Sequence, residues 1–156
     1  MKPENLGNLT FFDGLGTGDL QLLAPFFVPQ SYDAGSTVFE QGDQADFLYL
    51  VVKGEVVIRY KPDDGPLMTV TRVLPGGVFG WSAAMQNPIY TSGACCVLDA
   101  TTVRIRGADL RGLAEEHPTL GKVILDRLAA IIAERKKICQ REVISMLENN
   151  LHQESG

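Results

Sequence analysis

The chain has 156 residues, 45% hydrophobic and 21% charged, a balance that predicts a soluble folded domain of ordinary size with one core. A formal net charge of -5 leaves no electrostatic footprint for general nucleic-acid binding. No apolar run approaches the roughly 20 residues that span a bilayer. The start Met1-Lys2-Pro3-Glu4-Asn5 lacks the apolar stretch of a signal peptide, and three cysteines without metal spacing fit a reducing compartment, so a cytoplasmic setting is expected.

Residues 5–26 read as a short helical lead-in, with Thr17 as candidate N-cap, Asp19 in the first turn and Leu20, Leu22 and Leu23 behind it. From about 27 to 105 the chain is punctuated by turn signals: Asp33-Ala34-Gly35, Gly42-Asp43, Lys53-Gly54, Pro62-Asp63-Asp64-Gly65-Pro66 and Pro75-Gly76-Gly77. Between them lie strand-like runs. Phe47 to Val52 is apolar on both faces; Val56, Ile58 and Tyr60 alternate with Glu55, Val57 and Arg59; Met68, Val70, Arg72 and Leu74 oppose Thr69, Thr71 and Val73; Thr101 to Ile105 turns Val103 and Ile105 inward. Short strands at this spacing predict a sandwich, a barrel or a roll. The adjacent Cys95 and Cys96 would point to opposite faces of a strand, with one buried.

The remainder is helical. Ala108 to Glu116 predicts one short helix, broken by His117-Pro118, and a second runs from Thr119 to about Leu151. That length is well above the usual globular helix. Leu128, Ile131 and Ile132 in its first half, with Cys139, Val143 and Leu147 in its second, give it more apolar surface than one β-domain can cover. A homodimer through a coiled-coil-like seam along this helix is expected; the alternative is a helix that lies back on its own β-domain. The only histidines, His117 and His152, stand outside the strand region, which argues against a histidine-built metal site, and no nucleophile–base arrangement is visible. The chain is therefore expected not to be an enzyme.

The run Tyr32-Asp33-Ala34-Gly35-Ser36-Thr37-Val38-Phe39-Glu40-Gln41-Gly42-Asp43, continued through Phe47-Leu48-Tyr49-Leu50-Val51-Val52-Lys53-Gly54-Glu55-Val56, resembles the opening half of the catabolite-activator-type effector domain of the cyclic-nucleotide-binding family. Leu74-Pro75-Gly76-Gly77-Val78-Phe79-Gly80 is similar to that family's approach to its phosphate-binding cassette, and the resemblance extends over about residues 8–150. It implies a mainly β fold: a double-stranded β-helix, or jelly-roll-like β-roll, over about 27–105, with N-terminal helices and C-terminal helices over about 108–151 of a single domain spanning 1–156.

In the family, backbone N–H groups after the cassette glycine cradle the cyclic phosphate. A glutamate next to the glycine binds the ribose, and an arginine about ten residues on pairs with the phosphate. Here Gly80 is kept, Trp81 stands at the glutamate position, and Tyr90 or Thr91 stands at the arginine position. The missing arginine removes a contact worth about 1.5–3 kcal/mol, or roughly 10- to 150-fold in affinity, so tight cyclic AMP binding is not expected. The resemblance places the candidate pocket at Phe79, Gly80, Trp81, Ser82, Ala83, Thr91 and Ser92, with Trp81 either a stacking platform or a plug. Arg135 and Lys136 fall where the long helix closes the family's pocket. The family's regulators carry a helix-turn-helix after that helix, and about five residues follow Leu151, so no DNA-reading domain is expected. The expectation is a stand-alone sensory or regulatory module with no cofactor and an unnamed small-molecule effector, signalling through its helix; the alternative is a dimerisation or partner-docking domain whose pocket binds nothing.

Overall fold

The computed structural model describes residues 1–85 and 87–135. Of the sequence readings, Lys136, Cys139, Val143 and Leu147 lie outside the described residues. Helices α1 (Pro3–Gly7) and α2 (Thr17–Leu23) are followed by strands β1 (Val28–Tyr32), β2 (Thr37–Phe39), β3 (Phe47–Lys53), β4 (Val56–Tyr60), β5 (Met68–Val73), β6 (Val78–Phe79), β7 (Gly93–Cys96) and β8 (Ala100–Arg106). Helix α3 (Gly107–Glu116) and a further helix, α4, over 118–135 complete the described chain. His117, between them, is non-helical, as the following proline dictates. Thr17 is the first residue of α2 rather than its cap; Gly16 takes the cap position and no side chain bonds the end.

Two antiparallel four-stranded sheets, ordered β1-β8-β3-β6 and β2-β7-β4-β5, face each other as the two walls of a β-roll. The double apolarity of β3 now has its cause. Leu48 and Leu50 point toward the helices, whereas Tyr49 and Val51 point between the sheets. The inter-sheet core gathers Val56, Ile58, Val73, Phe79 and Cys96, so Cys96 is the buried member of the cysteine pair. The second core lies between the first sheet and the helices. Phe12, Leu23 and Phe27 of the lead-in meet Leu110 and Leu113 of α3 there, together with Leu120, Ile124 and Leu128 of α4, a four-residue spacing that puts one stripe of α4 on the sheet. Burial of each such side chain is worth about 1.5–3 kcal/mol.

This stripe corrects one expectation. Leu128, expected at a dimer seam, is only 2% exposed within the chain's own core, and Ile131 packs partly against the same core. The outward face of α4 instead carries Leu125, Ala129 and Ile132, with Leu125 46% exposed and Ile132 half-buried. The α4 helix is also tied to the lead-in by Arg127, whose guanidinium donates to the carbonyls of Phe11 and Asp13. Among the described residues, no helix is long and apolar enough to cross a membrane.

Candidate functional site

Strand β6 is followed by Gly80, whose φ of 74° places it in the left-handed region. A Cβ there would lie 3.1 Å from both the Phe47 carbonyl oxygen and a Tyr49 ring carbon, so both the backbone angle and the space call for glycine. The chain turns at once into a single 3₁₀ turn, Trp81–Ala83, shorter than the helix that the resemblance implies. Among the described residues, the amides of Trp81 and Ser82 donate to no backbone carbonyl. The turn is held from behind: Arg111 of α3 donates to the Ala83 carbonyl at 2.7 Å, and a Cβ on Gly107 would stand 2.2 Å from that oxygen. Ala83 therefore belongs to the support of the site. It is buried and does not line the cavity, contrary to the expectation from sequence.

The other six candidates, Phe79, Gly80, Trp81, Ser82, Thr91 and Ser92, line one cavity together with Arg135. Among the described residues, Phe39, Ile58 and Tyr90 supply the remaining walls. Ile58 was legible as an inward position of an alternating strand; Phe39 was not, because β2 has only three residues. The space is about 50 Å³. One water needs roughly 10–15 Å³ of such space, so the cavity, as the described residues line it, is not solidly filled and accommodates a few waters.

Two residues define its chemistry. Arg135 reaches in from α4, with its guanidinium carbon 4.5 Å from the centre of the Trp81 ring, and donates to the Val78 carbonyl. No carboxylate lines the cavity among the described residues. One cation, three hydroxyls (Ser82, Thr91, Ser92) and an indole face thus meet in one space, an arrangement suited to an anion with a flat or apolar part.

Tyr90, one of the two residues near the position where the family would place a cation, does structural work. Its ring stacks on Phe39 with centroids 3.7 Å apart, and it is 4% exposed. The phenol donates to the Phe47 carbonyl at 2.6 Å and accepts from the Phe47 amide at 3.1 Å, which pins the start of β3 to the cassette loop. Burial, as the largest cause, pushes the phenol well above the usual tyrosine range. Its folded form therefore holds its proton more tightly than the unfolded chain, so the stability it contributes is complete below about pH 10 and declines as pH rises above it. Tyr90→Phe should cost about 1–3 kcal/mol in urea unfolding at neutral pH, since a buried amide and carbonyl lose their partner. It should also flatten the alkaline decline; a loss under about 0.5 kcal/mol would show that the clamp carries no stability. Among the described residues, no three His, Cys, Asp or Glu side chains come together as a metal cluster would require.

The profile of the cyclic nucleotide-binding domain matches residues 29–117, more than half of the chain. A CRP-like cAMP-activated global transcriptional regulator of Mycobacterium tuberculosis is 26% identical over 126 residues, covering 81% of this chain and 56% of that protein. Among solved structures, a Geobacter metallireducens protein described as cyclic nucleotide-binding superposes with a TM-score of 0.76 at 32% identity, covering 86% of this chain and 98% of that one. The catabolite activator protein of Thermus thermophilus gives 0.72 at 26%, covering 87% of this chain and 62% of that one. The chain spans less than two thirds of the Mycobacterium and Thermus proteins. With the glycine-led cassette turn at the edge of a two-sheet roll, these likenesses mean that the chain belongs to the cyclic nucleotide-binding domain family.

Proposed function

We propose that this domain is a regulatory sensor whose cassette binds a small anion with a flat or apolar body, and that the bound state is read out through α4. The observation that carries this reading is the position of Arg135. It is the cation of the cavity and a residue of α4 at once, so any anion that engages it acts directly on the helix. A guanidinium from the helix takes over the role of the arginine that the cassette lacks. Because it lies on Trp81 and on the Val78 carbonyl, an occupant must exchange those contacts for its own, which couples occupancy to the setting of α4. Cyclic AMP and cyclic GMP bind weakly on this reading, with neither a glutamate for the ribose nor a cassette arginine for the phosphate.

We also propose that α4 pairs with a second copy along Leu125, Ala129 and Ile132, spaced i, i+4, i+7 on its outward face. A regulatory rather than catalytic role, and a cytoplasmic setting that keeps Cys95 and Cys96 as thiols, belong to the same reading.

Trp81 is the only tryptophan of the chain, so its fluorescence reports the cavity alone. Titration with cyclic AMP, cyclic GMP and a panel of aromatic carboxylates should give saturable emission changes for members of the panel. Arg135→Gln should weaken these about 10-fold or more, the cost of one charge-assisted contact. Sub-micromolar cyclic nucleotide affinity in calorimetry would overturn the ligand class. Emission indifferent to every anion, with the same stability before and after, would favour a docking domain with a sealed pocket.

A further inference from the structure

The corner where β1 and β8 meet α3 holds a second concavity, of about 230 Å³, that shares no lining residue with the cassette cavity. We propose that it is a binding site for a small carboxylate with an apolar body. Arg104 and Arg106 stand two apart on β8 and so share a face; the register sets Arg104 between Val28 and Tyr49, and Arg106 beside Phe47. Both guanidiniums lie against the Phe47 ring, at 3.9 and 5.0 Å from its centre.

Neither arginine forms an ion pair among the described residues, although Asp109 lines the same space. The Nε of Arg104 is buried with no hydrogen-bond partner, a state that buried donors rarely keep. Two guanidiniums and one carboxylate leave the notch locally cationic on a chain whose net charge is -5. Its opposite wall is apolar and accessible, with Phe26 38% and Val28 49% exposed. Charge on one side and bare hydrocarbon on the other select an oxyanion that carries an apolar group. A single carboxylate matches the local excess of one positive charge better than a phosphate dianion, which Asp109 would repel.

The test is ¹H–¹⁵N NMR of the full chain titrated separately with phenylacetate, 2-phenylethanol and inorganic phosphate. Phenylacetate should shift the backbone amides of Val28, Phe47 and Arg104 saturably, in the millimolar range expected of so small a ligand. The uncharged alcohol and the phosphate should bind there at least about 10-fold more weakly. Arg104→Gln should weaken phenylacetate by about 10-fold or more, and Arg106→Gln, at an exposed position that leaves the fold intact, by several-fold. The proposal falls if the notch amides show no saturation by about 10 mM, or if Arg106→Gln keeps a native spectrum and undiminished affinity. It falls equally if phosphate binds as well as phenylacetate, or if phenylacetate shifts only the Trp81 side chain. That last result would place the ligand in the cassette and leave the reading of that site standing.

Discussion

Leu128→Asp should unfold much of the protein at physiological temperature, whatever its state of association. Leu128 is 2% exposed and sits among Leu113, Leu120 and Ile124 against the first sheet. The substitution removes a packed side chain, worth about 2–5 kcal/mol, and inserts a carboxylate with no partner, which adds further cost. A total near 4 kcal/mol or more is a large share of a domain's stability, and at roughly 2–4 °C per kcal/mol it lowers Tm by about 10 °C or more. Leu125→Asp is the contrasting experiment. At 46% exposure it should leave Tm of the monomer nearly unchanged, yet dissociate a dimer held along the outer face of α4. Thermal unfolding paired with light scattering separates the two. A stable but monomeric Leu128→Asp protein would mean that Leu128 faces a partner and that the packing of α4 described above is wrong.

Gly54→Val should be nearly as damaging, for a different reason. Gly54, in the turn between β3 and β4, has φ of 89°, and a Cβ there would stand 2.3 Å from the Asp99 carbonyl oxygen and 2.8 Å from the Ala100 Cα. These are backbone atoms at the start of β8, so relief requires moving a strand that pairs on both sides. Left-handed strain of about 1–3 kcal/mol and a similar overpacking cost predict a loss of about 3 kcal/mol. Gly35→Ala isolates the first contribution, because Gly35 has φ of 87° but nothing within 4 Å of its Cβ position. Urea unfolding should show a loss near 1 kcal/mol at Gly35 and at least twice that at Gly54. Equal losses would mean that crowding at Asp99 is relieved by a small shift.

These variants also mark where the sequence could be read and where it could not. Strands β3, β4, β5 and β8 followed from alternation or double apolarity, since each is five to seven residues long and flanked by turn residues. The three-residue β2, the two-residue β6 and the Gly-Ala-Cys-Cys of β7 are too short or too small to carry a period, and only the resemblance over residues 8–150 implied them. The same holds for the site. Gly80, Trp81, Ser82, Thr91 and Ser92 were placed by likeness to a cassette and do share a cavity. Ala83 was misplaced because three residues per turn carry it to the supporting side, against Arg111 and Gly107. Leu128 was misplaced because an apolar stripe has the same spacing whether it packs on a sheet of its own chain or on a second helix. The arginine pair at the notch is not legible in sequence, for a strand pattern records that Arg104 and Arg106 share a face but not that both lie against the Phe47 ring.

The strand order has a consequence for how the chain reaches this state. Of the six neighbouring strand pairs among the described residues, only β4 and β5 follow each other in sequence. Strand β1 finds its partner in β8, with Val28 opposite Arg104, so β1 has no native neighbour until nearly the whole roll has been synthesised. Closing such distant pairs is slow, because loop entropy is spent before any contact returns it. During that interval Phe47 to Val52, apolar on both faces, is an unpaired strand able to join the same segment of another nascent chain. Refolding yield should therefore fall steeply with protein concentration even where the finished domain is stable, and a hairpin at β4–β5 is the natural place for productive pairing to begin.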